Sequence, residues 1–375
     1  MKIRAAVLEE MNNTAPYAQS LPLRVQEIDL DGPGRGEVLI RIAAAGLCHS
    51  DLSVINGDRP RPVPMVLGHE AAGVVEEVGD GVDDLVRGDH VVCVFVPSCG
   101  HCNPCSQGRP ALCEPGAEHN GKGDLLSGEF RLHRGGNRIH HHCGVSCFAE
   151  YATVSRRSLV KVRKDVPLHI VALMGCAVLT GAGAVFNGGD VGPGRTAAIV
   201  GLGGVGLAAV LGAAANGAET IIAIDRLEQK LHLARDLGAT HAFKADDPDL
   251  VAKVKEVTSG GVDAALEFAG SVKALEASYA ITRRGGTTVT AGLPNPKAML
   301  TLPAVSLVAE ERTIKGSYLG SGVPSRDIPR FLGLYMRGKL PVEKLLTHRI
   351  KLDDINAGFD HLHDGSAIRQ VIEFN

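Results

Sequence analysis

One stretch constrains the fold more than any other: residues 196–218, T-A-A-I-V-G-L-G-G-V-G-L-A-A-V-L-G-A-A-A-N-G-A. An apolar run, a glycine turn and an Ala-rich helical run are what a buried parallel strand feeding a crossover helix requires. Gly201, Gly203 and Gly206 form G-x-G-x-x-G, with Gly204 and Val205 inside the turn. Alone the motif is weak, but a strand before it and a helix after it make it a dinucleotide pyrophosphate cradle. The next strand, T-I-I-A-I-D, ends in Asp225, 19 residues beyond Gly206. An acidic side chain there accepts hydrogen bonds from ribose hydroxyls and repels a 2'-phosphate, so NAD is the expected cofactor. Arg226 follows immediately, and an arginine there can accommodate that phosphate, which weakens the preference. Alternation continues through L-H-L-A-R-D-L-G-A, H-A-F-K, V-D-A-A-L-E-F-A-G and G-G-T-T-V-T-A-G, predicting an α/β domain with a doubly wound parallel sheet complete by about Gly316.

At 375 residues the chain is long enough for two domains. Ahead of the glycine motif, K-I-R-A-A-V-L, G-E-V-L-I-R-I-A-A-A-G, A-A-G-V-V-E-E-V-G and D-H-V-V-C-V-F-V read as short strands of a β-rich, barrel-like domain. The helical S-R-D-I-P-R-F-L-G-L-Y-M-R-G-K and strand-like R-Q-V-I-E-F are expected to return to that first domain. The expected division is 1–178 with 319–375, and 179–318. A formal charge of −3 gives no reason to expect nucleic acid or an anionic membrane as partner. The longest apolar run, residues 197–215, is broken by five glycines, so no span is expected, and the acidic turn of the N-terminus argues against a signal peptide. A cytoplasmic enzyme is the expectation.

Nine cysteines, an odd number without an export signal, favour thiols and metal ligands over disulfides. Cys99, Cys102, Cys105 and Cys113 stand at C-x2-C-x2-C-x7-C. Four thiolates fill every tetrahedral position, predicting a closed structural zinc in a lobe at 97–115. An iron–sulfur site also uses C-x2-C-x2-C but normally continues with a close fourth cysteine and a proline. Cys48 and His69 lie on loops of the first domain, and Cys176 stands in G-C-A-V-L-T-G. Three such ligands leave one position open, the mark of a catalytic zinc, giving two Zn2+ per chain. Cys93 and Cys147 read as buried small hydrophobes. The run His140-His141-His142 invites a metal reading, but neighbours on a strand point to opposite faces, so a partly exposed run is expected.

Together these residues resemble the zinc-dependent medium-chain alcohol dehydrogenases, most of all the liver-type and formaldehyde-dehydrogenase branch or the bacterial aryl-alcohol enzymes. The resemblance runs from G-E-V-L-I-R-I-A-A-A-G-L-C-H-S-D and G-H-E-A-A-G-V-V through the four-cysteine lobe and G-L-G-G-V-G to A-I-R-Q-V-I. It implies a GroES-like catalytic domain joined to a Rossmann domain, with Cys48, His69 and Cys176 on the catalytic zinc. It also implies that Glu70 assists ligand exchange, that Asp51 orients His69 (a helix cap being the plainer alternative), and that Ser50 takes the alcohol proton before hydride passes to NAD. Lys230 matches a ribose contact, and His49 and Arg369 match pyrophosphate contacts. By the same resemblance Phe95, His142 and Cys143 line the substrate pocket with Arg59 at its rim, and a homodimer or homotetramer forms near V-S-L-V-A-E-E-R-T-I-K-G-S-Y.

Departures from the pattern matter. Ser53 stands where many liver-type enzymes carry a proton-relaying histidine, so the proton needs another exit. The arginine that holds glutathione in the formaldehyde dehydrogenases is absent from Glu114, Pro115, Gly116 and Ala117, and their acidic pocket mouth is replaced around Arg59 and Arg61. A primary alcohol or aldehyde with an apolar or aromatic body is therefore the expected substrate, the alternative being a formaldehyde dehydrogenase that uses a different thiol adduct. A silent cofactor-binding structural protein is disfavoured by the complete constellation.

Overall fold

A computed structural model describes residues 1–374. The chain divides into two compact units, one formed by residues 1–176, 323–332 and 346–375, the other by 177–322 and 333–345. The sequence reading assigned all of 319–375 to the first unit, whereas 319–322 and 333–345 belong to the second.

In the first unit, five strands close a barrel: Lys2–Leu8, Leu23–Leu30, Leu132–Arg134, Asn137–His141 and Met65–Val66. Beside it lies a seven-stranded sheet centred on Glu37–Gly46. That strand is apolar along most of its length, as a strand covered on both faces must be. Val38, Ile40, Ile42 and Ala45 enter a core shared with Phe148 and Phe359, whose rings meet edge to face at 6.1 Å.

The pairings of this strand position the chemistry. Glu37–Gly46 runs antiparallel to Ala71–Val78, with Ala45 opposite Ala71, and to Arg369–Glu373, with Gly46 opposite Val371. Gly46 N–H donates to the Glu70 carbonyl at 2.7 Å, and Leu47 N–H to that of Gln370 at 3.1 Å. Cys48, Glu70 and Arg369 thus come to one end of three hydrogen-bonded strands. A Cβ on Gly46 would lie 2.5 Å from Glu70 Oε1 and 3.1 Å from Arg369 Nη2, so any larger residue there has to displace that pair of side chains.

The second unit holds six parallel strands in the order His241–Lys244, Thr220–Asp225, Thr196–Val200, Val262–Glu267, Thr282–Thr290, Thr313–Gly316. Chain order reverses outward from Thr196–Val200, and ligands of such sheets bind beyond the strand ends at that switch.

Two expectations need correction. The histidine run is not partly exposed as a whole: His141 and His142 are 1% and 3% exposed, because Asn137–His141 is an inner strand of the closed barrel. The helical stretch Leu168–Gly188 is long and apolar enough to cross a membrane by length and composition, contrary to the reading of the apolar runs. Its apolarity has another physical cause, since 89% of the most apolar window is buried inside protein.

Candidate active site

Cys48 ends the extended segment after Gly46 and caps the helix His49–Ile55. Its backbone N–H donates to Asp51 Oδ2 at 3.2 Å, so Asp51, three residues on, closes the capping box at the start of the helix. The other oxygen, Oδ1, accepts from Gly68 N–H at 3.1 Å and lies 3.0 Å from His69 Nδ1. Asp51 therefore fills both roles that the sequence set against each other. With Nδ1 committed to Asp51, the Nε2 of His69 is left for the far side of the ring.

Cys176 reaches that side from a wide π turn, Met174–Val178, set into the helical stretch. Such turns insert a residue into the helical ladder and recur at functional sites. Cys176 Sγ lies 3.5 Å from His69 Nε2, and the ligand atoms of Cys48, His69 and Cys176 all fall within 4.8 Å of one another. Zinc bonds of roughly 2.3 Å to sulfur and 2.0–2.1 Å to nitrogen, at tetrahedral angles, put S and N about 3.5 Å apart, so the donor set fits that ion. All three residues are buried. The hydrogen bond to Cys176 holds the Cys48 thiol well below its ordinary range despite burial, with His69 and Arg369 helping. Cys176 is pushed up by the same bond.

Behind the triad, Arg369 and Glu70 form an ion pair with side chains 4% and 0% exposed. Burial raises the Glu70 pKa, and the Arg369 charge only partly offsets it. Glu70 Oε2 and Arg369 Nε are buried without a hydrogen-bond partner, which leaves polar capacity beside the ligands. The sequence reading gave Arg369 a cofactor contact and Glu70 a role near the metal; it did not anticipate that each is the other's counter-ion.

On the other side of His69, the ring of His142 stands perpendicular at 5.5 Å and that of Phe95 at 5.4 Å. His142 Nδ1 lies 3.1 Å from Asp51 Oδ1, an ion-pair distance off the line of a hydrogen bond. One carboxylate thus faces two imidazoles. Burial disfavours charge on His142 and on Asp51, yet the His142 pKa is raised to about 9 by Cys143 and Asp51, and the Asp51 pKa is held below the carboxylate range by His69 and His142. Burial would raise Cys143, but the His142 charge and hydrogen bond lower it. The second imidazole on Asp51 was not legible from the histidine run, since only the barrel closure aims it inward.

Ser50 is half-buried on the first turn of its helix, and His49 beside it is exposed. The Ser53 hydroxyl donates to the His49 carbonyl at 2.9 Å. Arg59 is half-buried on the following loop.

The four lobe cysteines also converge, their sulfurs within 4.8 Å of one another. Cys102 and Cys113 sulfurs are 4.0 Å apart, near the about 3.8 Å edge of a tetrahedral zinc–thiolate site. Backbone N–H groups of Cys99 and Gly116 point at Cys113 Sγ at 3.2 and 3.4 Å, and that of Cys102 at Cys99 Sγ at 3.3 Å. Such donors favour thiolates. Cys93 and Cys147 are fully buried, and burial pushes the Cys93 thiol up to about 12, as inert core cysteines require.

In the second unit, Gly201 follows strand Thr196–Val200 and Gly203 caps helix Gly204–Ala215, with Val205 in its first turn. A Cβ on Gly206 would collide with the Gly201 carbonyl, so the tight strand-to-helix turn excludes larger residues. Asp225 ends the neighbouring strand and accepts from Leu202 N–H at 2.7 Å and Leu227 N–H at 3.0 Å. The carboxylate ties the glycine turn to the loop that bears the exposed Arg226, and Lys230 lies half-buried in helix Glu228–Asp236. A helix N-terminus, a turn without side chains and an acidic strand end suit a dinucleotide.

Comparison with known proteins identifies the family of the chain. Residues 34–164 match the family model described as alcohol dehydrogenase GroES-like domain, and residues 204–336 that described as zinc-binding dehydrogenase. The chain is 43% identical to the NDMA-dependent alcohol dehydrogenase of Amycolatopsis methanolica over 99% of both chains. It is 38% identical to an S-(hydroxymethyl)glutathione dehydrogenase of Escherichia coli over 100% of both. Among solved structures, the benzyl alcohol dehydrogenase of Acinetobacter calcoaceticus superposes with a TM-score of 0.93 at 34% identity, each chain covered completely.

Proposed function

Because this chain belongs to the zinc-dependent medium-chain alcohol dehydrogenase family and is an oxidoreductase acting on alcohols, we propose that it oxidises a primary alcohol, aliphatic or aromatic, to the aldehyde with NAD, reversibly. The observation that carries this reading is the buried triad of Cys48, His69 and Cys176, with Asp51 fixing the tautomer of His69. Those three residues would hold the catalytic zinc, and Cys99, Cys102, Cys105 and Cys113 a structural one. When bound, zinc acidifies an alcohol at its open position and NAD supplies the hydride acceptor.

The chain's own groups do the rest. Ser50 takes the hydroxyl proton from a half-buried helix turn. Ser53, hydrogen-bonded to its own helix, does not carry that proton further, so exit runs through His49 or water. Glu70, countered by Arg369, lies close enough to the ligands to assist their exchange. Phe95, His142 and Cys143 shape the substrate side, and Arg59 stands at the rim. In the second unit, Gly201, Gly203, Gly204, Val205 and Gly206 cradle the pyrophosphate, Asp225 and Lys230 hold the ribose, and Arg226 sets how strictly a 2'-phosphate is refused.

A cytoplasmic homodimer or homotetramer completes the reading. Met299, Val305 and Val308 are exposed at 82%, 73% and 82% and precede the edge strand Thr313–Gly316 in the chain, which supports pairing of two such edges. The E. coli relative supports a second reading, formaldehyde oxidation as a thiol adduct.

The test is NADH formation from primary aliphatic, benzylic and secondary alcohols, and from formaldehyde with and without thiols, with zinc measured on the same sample. Turnover of free alcohols and about two zincs per chain, the number seven ligands in two sites hold, supports the main reading. Activity that appears only with a thiol moves the function to the adduct.

A further inference from the structure

The loop after helix His49–Ile55 carries an arginine that meets no carboxylate among the described residues. Arg131, Arg134, Arg156, Arg312 and Arg369 each meet a carboxylate, that of Glu37, Glu9, Asp84, Glu310 and Glu70 respectively. Arg61 is half-buried and, among the described residues, its guanidinium has one partner only, the Asn120 carbonyl, 3.3 Å from Nη1. A neutral carbonyl orients a cation without neutralising it.

The position of that cation is informative. Asn120 is 8% exposed and its Nδ2 donates to the Phe95 carbonyl at 2.7 Å, while the Phe95 ring packs on His69. Arg61 is thus linked through three successive contacts, by way of Asn120 and Phe95, to His69 of the ligand triad. Asn120 Oδ1 is buried there without a donor among the described residues. Arg61 is also one of the charges that hold down the Cys143 thiol, after His142 and His69. A planar fork of donors near the triad, lacking a carboxylate of its own, matches a carboxylate on a bound molecule.

Resting on the alcohol-oxidation reading above, we infer that Arg61 anchors the far end of the substrate, so that the preferred alcohols carry a carboxylate remote from the hydroxyl. Phe95 then covers the body between the two ends, and Asn120 sets the direction of the guanidinium.

The experiment compares kcat/KM for 4-(hydroxymethyl)benzoate and benzyl alcohol in the zinc-replete wild type, Arg61→Met, Arg61→Lys and the control Arg163→Met, which alters an exposed arginine paired with Asp165. The wild type should favour the carboxylate. Arg61→Met should reduce that preference roughly 10- to 100-fold, the size of one charge-assisted hydrogen bond. Arg61→Lys should keep part of it and Arg163→Met all of it. Calorimetric binding of 4-methylbenzoate, which has no hydroxyl to oxidise, should weaken in Arg61→Met in the same proportion. A preference that is absent in the wild type, or indifferent to Arg61, overturns this inference alone. Failure to oxidise any alcohol overturns the parent reading and this inference with it.

Discussion

Asp51 Oδ1 lies 3.0 Å from His69 Nδ1 while Oδ2 of the same carboxylate accepts the Cys48 N–H at 3.2 Å, so one buried side chain orients two members of the candidate ligand triad. His142 Nδ1, 3.1 Å from Oδ1, adds a second imidazole to that oxygen. Helix start, ligand tautomer and substrate wall are thereby coupled through a single group.

Replacing Asp51 by Asn keeps the volume and one acceptor but removes the charge. Zinc affinity at the triad is expected to fall about 10- to 100-fold, the usual cost of losing such a partner, with the four-cysteine site unaffected. Metal content after graded chelation, read alongside circular dichroism, checks this. Loss of both metals in parallel would show that Asp51 acts on the whole unit.

Arg369→Leu leaves the Glu70 carboxylate buried without its counter-ion. Breaking such a pair from one side costs about 3–5 kcal/mol. Adding Glu70→Gln to that variant should restore much of the thermal stability, because it removes the uncompensated charge. Gly46→Ala is expected to disturb the same pair, since the new methyl would stand 2.5 Å from Glu70 Oε1. A thermal-unfolding double-mutant cycle measures the coupling.

The two cysteine sites should separate by assay. Cys176→Ser removes a ligand of the open site, so activity should vanish with one zinc while thermal stability stays close to wild type. Cys105→Ser should remove the other zinc and lower the melting temperature by several degrees, as closed zinc sites contribute to folding. Metal analysis on both proteins distinguishes them.

His141 supplies a pH prediction. Burial drives its pKa down to about 3, and its Nε2 accepts the Arg131 N–H at 3.1 Å, a role open only to the neutral ring. A depressed histidine pKa means the folded state binds the proton less readily than the unfolded chain. Its contribution is therefore whole above about pH 6.5 and is lost as pH falls toward 3, at most roughly 4–5 kcal/mol across that window. His141→Gln offers a neutral acceptor that does not titrate. Compared as metal-free proteins, the variant should lose less stability than wild type between pH 7 and pH 4, and equal slopes would refute the assignment.

Asp225→Ser should shift the cofactor preference toward NADP by about tenfold or more, by removing the repulsion of a 2'-phosphate. The backbone donors of Leu202 and Leu227 lose their acceptor as well, so some loss of kcat/KM with NAD is expected too. Initial rates with both cofactors decide the ratio.

Local signals were legible where chemistry and spacing coincide within a few residues. The glycine turn, the lobe cysteines and the strand Glu37–Gly46 could be read directly, because period, glycine and thiol spacing act over short stretches. Leu23–Leu30 was overlooked because R-V-Q-E-I-D mixes charges into a strand that only barrel closure half-buries. Residues 333–345 cluster with the second unit, a division for which helix Pro324–Met336 carries no boundary mark in the sequence.

The sequence by itself determined the parallel sheet and its glycine turn, and it marked seven side chains as candidate metal ligands, because residue type and spacing act over short stretches. Only the tertiary structure decided their company. Burial turned Arg369 and Glu70 into counter-ions, barrel closure set His142 on Asp51, and Arg61 was left without a carboxylate among the described residues. Such partnerships join residues as far apart in the chain as Glu70 and Arg369, and their energies depend on desolvation, which exists only once the chain has folded around them.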